Sequence, residues 1–212
     1  MAKYLIHACN QRMWYVNNYL LPSMYQQGID KNDITVWNDA ESKGTLKSCI
    51  ESFEAISNNP GGTWHLQDDV LISSLFKEIT EAEDRGIRCG FCSRYDKDAT
   101  TGIVYGAKMW YSFPCIRIPN TLAEQFTKWL ERNKMRLEGF ISANKYADNL
   151  FHMFIEEKHP TLRVVNLSPN IVEHVDYLIG GSVTNPQRDN PIVTSKYWNE
   201  PYLVQKLEKA LN

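Results

Sequence analysis

The chain has 212 residues, of which 43% are hydrophobic and 23% are charged, and its formal net charge is −2 at pH 7. This is the composition of an ordinary globular protein, and the length is enough for one sizeable core. The small negative charge excludes a global basic field for nucleic acid. No apolar run reaches the roughly eighteen residues of a membrane-spanning helix.

The cysteines and the N-terminus predict a cytoplasmic protein. Five cysteines without a secretory signal fit a reducing compartment, and the apolar part of residues 1–7 is too short for a signal peptide. Cys89 and Cys92 have the spacing of a redox pair, but they fall in a predicted strand over 87–92, where side chains alternate between faces. Because no second pair completes a zinc site, we expect buried structural cysteines.

The first half of the chain alternates between predicted strands and helices. Apolar runs predict strands at 3–9, 33–37 and 64–72, the last interrupted by two acids. Helical spacing predicts helices at 11–27, with a break or kink at Pro22, at 45–57 and at 73–85, before the strand at 87–92. This order favours a parallel, nucleotide-binding-like (Rossmann-like) half-sheet over residues 1–92.

The second half is less regular. Residues 93–120 mix aromatic residues with Gly and Pro, which predicts antiparallel strands whose rings form core or stack on sugars or bases. Thr121 and Glu124 predict a capped helix at 121–133. A helix from Asp148 to Glu157, a strand at 162–167 and a short C-terminal helix follow. Without a separating linker, residues 1–212 are predicted to form a single domain, with a tail at 183–212.

Asp68 and Asp69 are the most informative residues of the sequence. They follow the apolar third strand, where buried charges are costly unless they are compensated. In open α/β sheets ligands bind at the carboxyl ends of strands, and oxygen ligands there suit a divalent cation. The alternative is that the acids begin the next helix, with Asp69 as its cap.

Four other polar residues follow the first two strands. His7, Asn10 and Arg12 lie at the end of the first strand, and Asp39 ends the second. His7 and Asp39 are candidates to line a nucleotide pocket, and Arg12 to contact phosphate or base. Asn10 could meet a nucleotide or simply cap the next helix.

Lys43 and Lys47 lie at the start of the helix predicted at 45–57, the end that the helix dipole makes unfavourable for cations. They could serve an anion such as a phosphate. The alternative is a solvated pair on the surface.

Three motifs together resemble the GT-A class of glycosyltransferases, including small bacterial and viral members, over most of residues 3–182. The segment Leu66-Gln67-Asp68-Asp69-Val70 resembles the DXD element, with Gln67 where the family often has an acid. Asp148 before an apolar helix is similar to the acid that precedes the acceptor-side helix in inverting members. The segment from Ser168 to Val175, followed by Gly181-Ser182, is similar to a late segment whose His completes the metal shell, although Asp176 replaces a frequent Gly.

The resemblance implies a fold, a cofactor and residue roles. The fold is α/β, with a GT-A-like mixed, mostly parallel sheet flanked by helices, and 93–182 becomes the acceptor-side half. Asp69 and His174 would ligate Mn²⁺ or Mg²⁺, with Asp68 near the ribose or a metal-bound water, and the cation would stabilise a departing diphosphate. Asp148 would take the proton of the acceptor hydroxyl and the anomeric centre would invert. Without the resemblance, Asp148 could also be the N-cap of the helix, and a lone histidine such as His174 is more often a core or hydrogen-bonded residue than a ligand.

The predicted function is transfer of a sugar from a nucleotide diphosphate sugar, with UDP-sugars as the family default. The acceptor could be a glycan, a protein, a lipid-linked sugar or a modified nucleic-acid base. A nucleotidyltransferase would also need paired acids, but residues 9–13 lack the glycine-rich loop it normally uses. A third hypothesis is a non-catalytic module that binds nucleotide sugars, which the missing acid at Gln67 supports.

Overall fold

The computed structural model describes residues 2–41, 43–82, 85–91, 102–105, 113–144, 147–181, 195 and 197–212, without the side chains of residues 104, 141–144, 147 and 148. The strands in this part of the chain are β1 (Lys3–Cys9), β2 (Ile34–Asp39), β3 (Thr63–Gln67), β4 (Val70–Ile72), β5 (Ile87–Cys89), β6 (Gly102–Tyr105), β7 (Cys115–Ile118), β8 (Arg163–Asn166) and β9 (Val172–His174). The helices are α1 (Met13–Tyr15), a π-helical segment (Val16–Leu20), α2 (Leu21–Gln26), α3 (Thr45–Ser57), α4 (Phe76–Ala82), α5 (Asn120–Arg132), α6 (Lys134–Asn144), α7 (Ala147–Lys158) and α8 (Pro201–Leu211).

The main sheet has seven strands in the order β2-β1-β3-β7-β5-β8-β6. Strands β1, β2, β3, β5 and β8 run in one direction, and β6 and β7 run in the other. The fold is therefore mixed α/β with a mostly parallel sheet. The parallel half-sheet predicted for the N-terminal part is confirmed, since β1 pairs in parallel with both β2 and β3.

Both faces of the sheet are buried, which explains the continuous apolar runs of its strands. Leu5 points to the core formed with α3, α5, α6 and α7, and its neighbours Tyr4 and Ile6 point to the core beneath α1, α2 and α4. On the first face, the ring of Phe126 lies 4.7 Å from that of Phe53 and 4.8 Å from that of Phe151, measured between centroids. These edge-to-face contacts join α3, α5 and α7 to one another.

The structure differs from the sequence prediction in two helices, the first helix and α5. The long first helix contains a π-helical segment, Val16–Leu20, just before Pro22, whose missing N–H cannot bond the carbonyl four residues earlier. The predicted Thr121 cap is wrong. Helix α5 begins at Asn120 with Pro119 at the N-cap position and no side-chain cap, because the extended Pro119 turns its carbonyl toward the amides of residues 122 and 123. Glu124 pairs instead with Lys128 on the helix surface.

The strand predicted over 87–92 is β5, which ends at Cys89; Cys92 lies outside the described residues. None of the helices in the described part of the chain combines the length and the apolar character that a membrane span requires.

Candidate functional site

The candidate site lies where the carboxyl ends of β1, β2 and β3 meet. Cys9 is paired in register with Asp39, and His7 with Gln67, so the residues that follow these strands share one edge of the sheet. Asp68 and Asp69 form the turn between β3 and β4. The alternative of a helix cap is wrong, because the acids lead into a strand and the next helix begins only at Phe76.

A small two-stranded sheet brings His174 to the acid pair. Strand β4 pairs antiparallel with β9, and Val70 lies opposite His174 in this register. The amide of Val175 also donates to the carbonyl of Asp69 at 2.9 Å. As a result, Nε2 of His174 lies 3.0 Å from Oδ2 of Asp69, so the structure places together the two residues that the sequence predicts as metal ligands.

Arg12 connects both carboxylates. Its Nη1 donates to Oδ1 of Asp68 at 3.0 Å and also to Oδ2 of Asp69. Its Nη2 donates to the carbonyl of Gly181 at 2.6 Å, and the amide of Cys9 donates to Oδ2 of Asp68 at 2.9 Å. One buried guanidinium thereby joins the end of β1 to the Asp68–Asp69 turn and to the loop that contains Gly181.

A third carboxyl group completes the cluster. Oδ1 of Asp176 lies 3.4 Å from Nδ1 of His174, on the side of the ring opposite Asp69. Asp176 is 1% exposed, Asp68 6% and Asp69 5%, so all three acids are withdrawn from bulk water. The hydroxyl of Tyr15 donates to the carbonyl of Val70 at 2.9 Å and so holds the residue that follows Asp69 in place.

The two adjacent acids have opposite electrostatic environments. Burial would raise the pKa of Asp69, but the charges of His174 and Arg12 outweigh burial and lower that pKa. Burial, together with the charge of Asp69, raises the pKa of Asp68 in spite of Arg12. For His174, burial is outweighed by Asp69 and Asp176, which raise its pKa. The folded protein thus favours an ionised Asp69 beside a protonated His174.

The cluster contains more acidic than basic side chains. Three carboxyl groups, those of Asp68, Asp69 and Asp176, lie around two basic groups, those of Arg12 and His174. Oδ1 of Asp69 is buried and has no hydrogen-bond partner among the described residues. An orphaned buried carboxylate oxygen is costly, and a hard cation would satisfy it.

The residues therefore fit a divalent cation by charge and donor type. Carboxylate oxygens are ligands that Mn²⁺ accepts, and the imidazole nitrogen of His174 would become one on releasing its proton to solvent. In the described part of the chain, no group of three or more His, Cys, Asp or Glu side chains is already arranged to hold a metal ion. The guanidinium of Arg12 contacts both of these aspartates.

His7 lies on the other face of the sheet edge and has protein partners of its own. Its Nε2 is 2.9 Å from the hydroxyl of Ser48, its Nδ1 is 3.4 Å from Nε2 of His65, and Trp37 packs edge-on against its ring. Burial lowers the pKa of His7 to about 4, so the ring is neutral near pH 7. These contacts give His7 a structural role between β1 and α3.

Asn10 and Asp39 order the loops at this edge. Asn10 donates to the carbonyl of Ala40 at 2.9 Å and accepts from Nδ2 of Asn38 at 2.8 Å. Asp39 accepts from the amide of Lys43 at 3.0 Å. Both residues lie beside the end of β1, and their hydrogen bonds hold the loop after β2 in place.

Lys43 and Lys47 both face Glu51 on α3. Nζ of Lys43 is 2.8 Å from a carboxylate oxygen of Glu51, and Nζ of Lys47 is 3.9 Å from the other. The Lys47 side chain is 63% exposed. This is the geometry of the surface pair considered as the alternative to an anion site.

Asp148 is the second residue of α7, so the predicted helix at this point is confirmed. Its side chain lies outside the described atoms, and its predicted role as a base stays a prediction. Sequence reasoning identifies Asp176 only as a departure from a family pattern and does not predict the link of Arg12 to both acids. A positive residue just after β1 and an acid two residues after His174 were the available signals.

No protein-family model matches this chain, and no curated protein matches it in sequence.

Proposed function

We propose that the protein is a metal-dependent glycosyltransferase of the GT-A class, which moves a sugar from a nucleotide diphosphate sugar, by family default a UDP-sugar, to an acceptor hydroxyl in the cytoplasm. The observation that carries this proposal is the meeting of Asp69 and His174, 3.0 Å apart, at the carboxyl edge of the parallel strands. That edge is where open α/β sheets bind ligands. The mixed sheet and the separate β4–β9 pair also agree with this class.

The charges of the cluster support a cation cofactor. A diphosphate approaching three buried carboxyl groups would be repelled, since Arg12 is already engaged with two of them. Asp69 and His174 would hold Mn²⁺ or Mg²⁺, with Asp68 beside them. The ion, when bound, supplies positive charge to the departing diphosphate.

The remaining chemistry belongs to the side chains of the protein. The acceptor hydroxyl must lose a proton as it attacks the anomeric carbon, and Asp148 is the proposed base. If Asp148 acts from the face opposite the diphosphate, the anomeric configuration inverts. The buried ion pairs of Arg12 hold the acid turn in place without a ligand.

One observation favours a second candidate, a module that binds nucleotide sugars without turning them over. The guanidinium of Arg12 already contacts both carboxylates, which is how a site stabilised without a metal would be built. Such a module would bind donor with the same affinity in the presence of a chelator.

A donor screen separates these two candidates. Nucleotide sugars are incubated with the protein with and without Mn²⁺, and slow hydrolysis is measured as released nucleotide. Turnover that requires Mn²⁺ and is abolished by Asp69→Asn supports the transferase. Metal-independent binding with no turnover supports the module.

Asp148→Asn tests the base. We expect transfer to fall at least about 100-fold with little change in donor affinity, because general base catalysis contributes about 10²–10⁴-fold. Glu156→Gln is the matched control, since Glu156 is an exposed carboxylate on the same helix. Equal losses of transfer and donor affinity in Asp148→Asn would show that Asp148 has only a structural role in the first turn of α7.

A further inference from the structure

Arg12 is placed to control how tightly a cation binds to the acid pair. It lies in the turn after β1 and is 6% exposed, and its guanidinium contacts the same oxygen of Asp69, Oδ2, that His174 contacts. We infer that Arg12 competes with the divalent cation for Asp68 and Asp69, and so sets the metal affinity of the site. This inference rests on the cation site of the proposed function.

The contacts of Arg12 are those of a counter-ion. A single nitrogen, Nη1, donates to both carboxylates, and Nη2 is held by the carbonyl of Gly181 at 2.6 Å. Nε is buried and has no partner among the described residues. The guanidinium therefore makes fewer hydrogen bonds than it can, and its position is governed by the charges of the two acids.

A cation can reach the acids in two ways, and Arg12 opposes both. If the ion replaces Nη1 on Oδ2 of Asp69, the ion pairs of Arg12 must break. If it binds the orphaned Oδ1 of Asp69 instead, it lies a few ångströms from the guanidinium and is repelled by its charge. Both routes weaken cation binding relative to the same site without the guanidinium.

The presence of Arg12 also has a consequence for the metal-free protein. Asp68 and Asp69 are adjacent and buried, so negative charges on both would repel each other when no cation lies beside them. Arg12 supplies the positive charge in that state. Binding of a metal ion then replaces one positive group beside the acids with another.

The test measures binding of Mn²⁺ alone, without any nucleotide, by the loss of the free Mn²⁺ signal in electron paramagnetic resonance. Wild-type protein is compared with Arg12→Gln, Arg12→Lys, Asp69→Asn and the double variant Arg12→Gln/Asp69→Asn. Arg136→Gln is the matched control, because it removes the same charge from an exposed position on α6. Circular dichroism establishes that each variant is folded.

We expect Arg12→Gln to bind Mn²⁺ at least about tenfold more tightly than wild type, which corresponds to ~1.4 kcal/mol. Arg12→Lys keeps the charge but loses the planar guanidinium, so its Mn²⁺ affinity should fall between those of wild type and Arg12→Gln. If Arg12→Gln does not fold, the affinity of Arg12→Lys tests the inference. Arg136→Gln should match wild type, and the double variant should lose the gain.

Unchanged or weaker Mn²⁺ affinity in folded Arg12→Gln and Arg12→Lys would overturn the inference, as would a gain that persists in the double variant. Failure of the proposed function looks different. In that case Mn²⁺ binds as described, with the expected effect of Arg12, but no nucleotide sugar is bound or turned over.

Discussion

Replacing Asp69 by asparagine removes one negative charge from the centre of the cluster without changing the size of the side chain. Asp69 is 5% exposed, its Oδ2 lies 3.0 Å from Nε2 of His174, and the same oxygen accepts from Arg12. The asparagine amide carries no charge, so it cannot balance the guanidinium of Arg12 or the imidazolium of His174. The neighbouring substitution, Asp68→Asn, is the matched control, since it removes the same charge from the next residue.

The expected magnitudes differ because the two acids have opposite pKa shifts. Removing one partner of a buried ion pair costs about 3–5 kcal/mol, and Arg12 retains Asp68, so we expect Asp69→Asn to cost about 3 kcal/mol of unfolding free energy. In a chain of this length that lowers Tm by roughly 6–12 °C. Asp68→Asn removes a charge that the fold disfavours, and its cost should stay below about 1 kcal/mol.

Urea unfolding followed by circular dichroism at neutral and acidic pH measures these costs. The lowered pKa of Asp69 means that its stabilisation is present above the unfolded value of about 3.9 and is lost as the pH falls through the folded value. The deficit of Asp69→Asn should therefore shrink in acid. Equal costs for Asp68→Asn and Asp69→Asn at neutral pH would refute this description of the cluster.

Three further predictions concern His174, the glycines before β3 and the contact of His7 with Ser48. Because Asp69 and Asp176 raise the pKa of His174, its stabilisation is present below about 6.5 and lost as the pH rises through the folded value, so His174→Gln should destabilise more at pH ~6 than at pH ~9 in urea unfolding; a constant deficit would contradict this. Gly62 has φ +131°, and a Cβ there would lie 2.9 Å from the carbonyl oxygen of Ile118, whereas a Cβ on Gly61, with φ +86°, would meet nothing within 4 Å. Gly62→Ala should therefore lower Tm more than Gly61→Ala, and equal shifts would show that strain alone matters. Ser48→Ala removes a partner of His7 and should cost about 1 kcal/mol with unchanged nucleotide affinity; a loss of affinity at full stability would assign His7 to the ligand.

Much of the local structure could be predicted from the sequence, because patterns among neighbouring residues determine it. The apolar run of β1 and the helical spacing of α3 predicted both elements correctly, since each buries a face that its own residues define. The position of Asp68 and Asp69 at a strand end followed from the same reasoning. Thr121 failed as a cap because Pro119, two residues earlier, already fixes the extended backbone at the start of α5.

The contacts within the site could not be read from local patterns. Arg12 meets Asp68 across 56 residues, and only the pairing of β1 with β3 brings them to one edge. His174 reaches Asp69 through the register of β4 against β9, which a three-residue strand does not specify by its own pattern. The position of Lys47 on α3 predicts an anion ligand, and the structure adds a carboxylate, Glu51, 3.9 Å from its Nζ, which the helix dipole alone does not indicate.

The most direct measurement is pulsed electron paramagnetic resonance of Mn²⁺ bound to the wild-type protein and to His174→Gln, with and without UDP. If Asp69 and His174 hold a cation that receives the diphosphate, the spectra contain nitrogen modulation from one imidazole, which disappears in His174→Gln, and phosphorus couplings when UDP is added. Bound Mn²⁺ without imidazole nitrogen, or with the same nitrogen signal in His174→Gln, would contradict it.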